Sequence, residues 1–182
     1  MQTLDSPCHP CTDARPVDLL IRVELPSDAP AIRELNRKAF GQEAEAALVD
    51  ALRENAKFLL SLVACVDGEV VGHLLFTDML GSVQRIAGLA PMAVLPGFQR
   101  RGVGSALVSE GLQYLREQSY IAAVVLGHKD FYPRFGFRPA EDFGITTQFE
   151  VPPDHLFVAP LAATPVNAGA LRYQTEFDAL GV

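Results

Sequence analysis

Apolar positions recur along this chain with two different periods. Leu19 to Leu25, Ser61 to Val66 and Glu69 to Thr77 carry strand-like runs, whereas Ile32, Leu35 and Ala39, followed by Ala47, Leu48, Ala51 and Leu52, fall at helical spacing. The first helix is expected to start at Pro26-Ser27-Asp28, with Ser27 or Asp28 as its cap, and the second to run from Glu43 to Arg53. Asp67-Gly68 separates two β-like runs by the pair of residues that a tight hairpin turn prefers.

Arg85 to Leu95 predicts a further strand. Pro91 lies inside it and has no N–H for a ladder, which implies a bulge, a lost pairing or an edge position. Val103 to Gln118 predicts a helix with one broad apolar half, including Val103, Leu107, Leu112 and Leu115, and one polar half, including Ser105, Glu110 and Gln113. Ile121 to Leu126 is apolar on both faces, as a strand covered on each side should be. Strand, helix and strand together predict an α/β unit containing a parallel pair.

Beyond it, Gly127 to Phe135 reads as a short helical segment that Gly136 is suited to end. Ile145 to Glu150 and Leu156 to Pro160 read as two more strands, and Ala170 to Leu180 as a packed tail. Residues 1–17, rich in proline and polar groups, read as a loosely held extension, which leaves 18–182 as a single domain. A chain of 182 residues can bury roughly 70% of the surface that its unfolded form exposes.

Charge and cysteine content remove several functions. Lys and Arg total 15 against 22 Asp and Glu, a net charge of -7, which argues against non-specific nucleic-acid binding and weakly favours cationic substrates. No basic segment followed by an apolar core opens the chain, and no apolar run is long enough to span a bilayer, so a cytoplasmic protein without a membrane partner is expected. Cys8, Cys11 and Cys65 are odd in number and give no disulfide framework. Cys8-His9-Pro10-Cys11 has redox spacing but lacks the flanking strand and helix, and Cys65 sits in an apolar run where an inert buried thiol is the default. His9, His73, His128 and His155 show no paired ligand spacing, so no metal is expected.

The most specific chemistry lies between Leu89 and Leu107, where a strand passes into a helix through a loop holding Arg100, Arg101, Gly102 and Gly104. The glycines let backbone approach a ligand, and the unpaired N–H groups of a helix's first turn attract anions. The N–H groups from Arg101 to Ser105 are the expected donors, assisted by the two guanidinium groups. A nucleotide-hydrolase phosphate loop is excluded because Val103 and Gly104, rather than Lys and Ser or Thr, follow Gly102. A dinucleotide fingerprint fails at Leu107, and the next apolar run ends in Gly127 and His128 rather than an acid.

The spacing Gln99-Arg100-Arg101-Gly102-Val103-Gly104 remains, with Met92-Ala93-Val94-Leu95-Pro96 before it and Phe131-Tyr132-Pro133-Arg134-Phe135-Gly136-Phe137 downstream. On these motifs the chain resembles the GNAT superfamily of acyl-CoA-dependent N-acetyltransferases, of the small bacterial type, over about residues 18–162. The resemblance implies an α/β fold whose mixed central sheet splits at the strand containing Pro91, flanked by about four helices. It also implies acetyl-CoA as cosubstrate, with the pantetheine arm and the reaction's oxyanion on backbone N–H groups of Met92, Ala93 and Val94. The phosphates would lie on Gln99, Arg100, Arg101, Gly102, Val103, Gly104 and Ser105.

Tyr132 is the implied acid. An unperturbed phenol titrates near ~10 and a thiol near ~8.5, so proton transfer to a departing thiolate is close to balanced. The implied activity is transfer of acetyl to a primary amine of a small molecule or peptide by direct attack. The competing reading is an acyl-CoA-binding sensor of the same fold that has lost catalysis. No base is evident: Ala87-Gly88-Leu89-Ala90 holds no histidine, and His73, His128, Glu43 and Glu45 each read more readily as structural or surface groups. Relatives commonly dimerise, so a homodimer is an expectation to which no residue here assigns an interface.

Overall fold

The computed structural model describes residues 18–167 and 169–180; the extension and its cysteine pair fall outside them. Strand β1 (Leu20–Val23) leads through a short turn into helices α1 (Ala29–Phe40) and α2 (Ala44–Glu54), followed by strands β2 (Leu60–Val66), β3 (Glu69–Asp78) and β4 (Ile86–Val94). Helix α3 (Val103–Glu117), strand β5 (Ala122–Leu126), the two-residue β6 (Arg138–Pro139) and β7 (Leu156–Pro160) complete the order. The strands form one mixed sheet in the order β1-β2-β3-β4-β5-β7-β6. Among these seven strands only β4 and β5 pair in parallel, as a strand–helix–strand crossover requires.

Alternation along the strands builds two cores. Leu62 and Ala64 on β2, Leu74 and Phe76 on β3 and Val125 on β5 pack with α3 through Leu107, Leu112 and Leu115. Their neighbours Val63, Cys65, Leu75 and Val124 face α1 and α2 through Ile32, Val49 and Leu52. Both faces of the sheet are therefore covered, and its central strands are apolar throughout for that reason. At the Asp67-Gly68 turn both residues take positive φ, 51° and 83°, the twist that suits a two-residue hairpin.

Asp28 stands at the start of α1, but its carboxylate turns back to accept from the Leu25 N–H at 2.7 Å and to pair with Arg22 at 2.6 Å. A buried polar chain then fixes α1 over the sheet. Asn36 donates to His73 Nδ1 at 3.3 Å, His73 Nε2 lies 2.9 Å from Ser61 Oγ, and Ser61 donates to Glu24, which also pairs with Arg53 of α2. Burial lowers the His73 pKa to about 4, so the ring is neutral and its Nε2–H donates to Ser61. This assigns His73 to structure.

Two expectations change. Among the described residues three α-helices flank the sheet, because the helix expected over Gly127 to Phe135 shrinks to a 3-10 turn at Tyr132–Phe135. Pro133 interrupts any longer helix, and Gly136, with φ 88°, ends the turn as expected. Ile145 to Glu150 forms no strand; Thr146 makes one isolated bridge to Ala170. The tail lies across the structure, where Leu80 and Arg172 exchange backbone hydrogen bonds of 2.7 and 2.9 Å. Leu171, Tyr173 and Phe177 are buried in one apolar cluster with α1, α2 and the sheet, so the tail is packed as expected.

Candidate active site

The sheet opens at Pro91. Pairing between β4 and β5 ends at Leu89 with Val125, while β4 continues against β3 as far as Val94 with Gly72. Opposite Ala90 and Pro91, β3 supplies only Leu75, so the register shifts there. A proline cannot donate to either neighbour, which accounts for the break.

The direction of the freed groups follows from alternation. Leu95 donates to Val71 at 2.9 Å, so Ala93, paired with His73, also turns its N–H towards β3. Met92 and Val94 point the opposite way, into the gap. Gln99 confirms that orientation by donating through Nε2 to the Val94 carbonyl at 3.0 Å. Ala93 therefore departs from the expected donor set, because its polar groups belong to the ladder.

Facing this edge is the start of α3. The first carbonyl of the helix, on Gly102, is bonded by Ala106 at 2.9 Å, so the N–H groups of Val103, Gly104 and Ser105 have no partner within the helix. Gly102 takes φ 80°, a conformation natural to glycine. The open edge and helix start border a groove of about 770 Å³, lined by Met92, Val94, Arg100, Gly104, Ser105 and Tyr132, with Gln99 and Gly102 beside them. Arg100 and Arg134 supply its charge, and among the described residues no carboxylate lines it, so the groove lining is basic on a protein that is acidic overall.

The Arg101 side chain departs from expectation, whereas for Val103 the expected group is the backbone N–H. The Arg101 guanidinium lies 5.5 Å from the Phe98 ring centre, outside the groove lining, and the Val103 side chain is buried against the sheet. Only the Val103 backbone remains available. His128, Phe131 and Arg134 join the lining, and sequence reasoning did not assign them there. For Arg134 the signal was present in the Phe131 to Phe137 motif: its guanidinium stacks 4.3 Å from the Phe131 ring centre, which holds it beside the groove.

Tyr132 stands where this groove meets a second cavity. Its ring packs edge-on against Phe131 and Phe137 at 5.0 and 5.4 Å, and burial raises its pKa well above the ordinary phenol value. It is thus a protonated donor and a weaker acid than an exposed tyrosine. The second cavity, of about 460 Å³, reaches from Glu45 and Phe40 to Met92, His128 and Tyr132, the three residues shared by both spaces. His73 and Glu43 line neither cavity.

A mixed sheet that opens beside a helix N-terminus is the fold this chain shares with solved GNAT acetyltransferases. The chain belongs to the Acetyltransferase (GNAT) family, whose sequence model matches residues 29–137. It is 38% identical over 165 residues to the uncharacterised N-acetyltransferase YhbS of Escherichia coli K12, covering 88% of this chain and 99% of that protein. The uncharacterised N-acetyltransferase YjhQ of the same strain is 42% identical over 138 residues, 71% of this chain and 75% of that one.

Solved structures agree. The YhbS structure in complex with CoA matches with a TM-score of 0.84 at 37% identity, covering 88% of this chain and 92% of that one. A GNAT acetyltransferase from Brucella melitensis in complex with acetyl-CoA matches with a TM-score of 0.75 at 33% identity, covering 88% and 98%.

Proposed function

We propose that this protein is an acetyl-CoA-dependent N-acetyltransferase acting on a primary amine. The observation that carries the reading is the meeting of a basic groove and an apolar cavity at one tyrosine. The groove fits a phosphate-bearing thioester: three helix N–H groups and two arginines suit phosphates, and the open edge of β4 suits an amide-containing arm. The CoA and acetyl-CoA complexes of the two relatives support the same ligand.

Acetyl-CoA supplies the thioester: the amine's lone pair forms the new C–N bond as the C–S bond breaks and its electron pair passes to sulfur. The N–H groups of Met92 and Val94 face charge developing on the carbonyl oxygen. The Tyr132 hydroxyl donates its proton towards the sulfur; burial makes it a weaker acid than an exposed phenol, so the transfer runs against its raised pKa and accompanies the build-up of charge on sulfur. His128, beside Tyr132 on both cavities, is placed to accept the proton that the amine loses, directly or through water.

The test begins with calorimetric titration of acetyl-CoA, with propionyl-CoA and nicotinamide dinucleotides as controls. Tyr132→Phe should retain acetyl-CoA affinity and lower turnover about 10²-fold. Equal turnover, with chemistry rate-limiting, removes the tyrosine from the mechanism. Tight acetyl-CoA binding without transfer to any amine would instead assign the chain to a binding or sensor role, which the weak acidity of Tyr132 would then explain.

A further inference from the structure

The proposed acetyl transfer, on which this inference rests, leaves one proton without a route. At pH 7 an alkylamine, with an ordinary pKa near ~10.4, arrives as the ammonium. Its nitrogen must lose two protons to become that of an amide. Tyr132 supplies one proton to sulfur, and the one that His128 accepts as the C–N bond forms can restore the tyrosine. The balance is an ammonium and acetyl-CoA giving an amide, the CoA thiol and one free proton. That last proton has to pass from the acceptor cavity to water.

His155 stands where that exit is needed. It lines the acceptor cavity together with Glu45, His128, Tyr132 and Tyr173, and it lies outside the lining of the thioester groove. Its side chain is 47% exposed, so the residue meets both the cavity and water. The backbone anchors it close to Tyr132. Gly127 donates to the His155 carbonyl at 2.8 Å, and that glycine packs against Tyr132 so closely that a Cβ there would collide with the ring. The His155 N–H donates to Pro152 at 2.9 Å, so both main-chain groups of the residue are held.

The tautomer of the ring follows from its partner. Nδ1 lies 2.9 Å from Asp154 Oδ1, and an ionised carboxylate only accepts, so in the neutral ring Nδ1 carries the proton and Nε2 keeps its lone pair. The other oxygen, Asp154 Oδ2, pairs with Lys129 at 3.0 Å. Lys129 first and His155 second hold the Asp154 carboxyl below the usual carboxylate range. We propose that His155 Nε2 takes the extra proton of the incoming ammonium and releases it to water, with Asp154 as the positioning residue behind it. One N–H bond of the ammonium breaks, its electron pair stays on nitrogen as the lone pair that attacks the thioester, and a new N–H bond forms at Nε2. Apolar walls at Leu48, Phe149 and Phe177 disfavour the charged amine and so favour the step. Asp154 faces the positive charge that the ring gains, and Lys129 is already neutralised by the same carboxylate.

The experiment compares 2-phenylethylamine with 2,2-difluoro-2-phenylethylamine, an amine of nearly the same shape whose fluorines leave most of it neutral at about pH 8. Initial rates of CoA release by the full chain, saturated with acetyl-CoA, give kcat/KM for each. His155→Gln should lower it at least about tenfold for 2-phenylethylamine and less than about twofold for the fluorinated amine. The first loss should fade as the pH is raised towards the pKa of the amine. Asp154→Asn should show the same selectivity more weakly, and acetyl-CoA Kd should be unchanged in both variants. An equal loss for the two amines makes His155 merely structural, and no loss for either sends the proton elsewhere; both overturn the proposal. Ring-nitrogen NMR of the full chain tests it without an acceptor. A neutral His155 protonated at Nδ1, less so in Asp154→Asn, is expected, and one protonated at Nε2 overturns the proposal. Transfer to neither amine while acetyl-CoA binds is a different result and counts against the proposed function itself.

Discussion

Gly127 packs directly against the ring of Tyr132: a Cβ at that glycine would stand 2.1 Å from Tyr132 Cε2 and 2.8 Å from Cδ2. The residue that follows β5 thus fixes where the tyrosine sits between the two cavities. Gly127→Ala should push the ring out of place, lowering turnover about tenfold or more, with an overpacking cost of about 1–3 kcal/mol. Steady-state rates beside a thermal melt check this. Wild-type turnover in a folded Gly127→Ala protein would show that the position of Tyr132 is immaterial.

Gly104 presents the opposite situation. A Cβ there meets Phe131 Cζ at 3.5 Å and Met92 Cε at 3.8 Å, ordinary contacts that the fold accepts. Gly104→Ala should therefore leave stability unchanged or raise it by up to about 1 kcal/mol through helix propensity. Acetyl-CoA affinity should nonetheless fall about tenfold, because the methyl group occupies groove surface where ligand backbone contact is expected. Calorimetry on both proteins separates the two effects.

The arginines should divide by position rather than by sequence neighbourhood. Arg100 and Arg134 line the groove, and replacing either with Ala should weaken acetyl-CoA about three- to tenfold, more at low salt than at high. Arg101, turned onto Phe98, should change affinity less than twofold. A larger loss at Arg101 than at Arg134 would mean that the bound groove differs from this one.

Stability should fall in mild acid. The folded His73 pKa of about 4 lies below the ordinary 6.5, so between those values the unfolded chain binds the extra proton. The unfolding free energy is then fully present above pH 6.5 and declines towards pH 4, by on the order of 2–3 kcal/mol. Glu24 acts in the same direction at lower pH. Burial alone would raise its pKa, but Arg53 and Ser61 hold it below the usual carboxylate range, so protonating it also costs stability. Urea midpoints at several pH values test this, and a His73→Gln protein should show a shallower slope between pH 6.5 and 4.

The sequence by itself determined the local elements and the anion-binding loop. Helical and strand periods located α1, α2, α3 and the β2–β3 hairpin to within a few residues, because amphipathic faces and a two-residue turn are local properties. Pro91 announced the break in β4 for the same reason: a missing N–H needs no distant partner to take effect. Glycines at the start of α3 made the loop legible as a place for phosphate.

Tertiary structure decided which groups converge. Nothing local distinguishes Arg101, stacked on Phe98, from Arg100 in the groove, and only the register with β3 turns Ala93 away while leaving Met92 and Val94 open. Ile145 to Glu150 looked like a strand and is not one, since a sheet partner rather than propensity was missing. Tyr173, far along the chain, packs on β4 only because Gly88 leaves room for its ring. Such convergence depends on contacts between distant segments, and those contacts exist only once both faces of the sheet are packed.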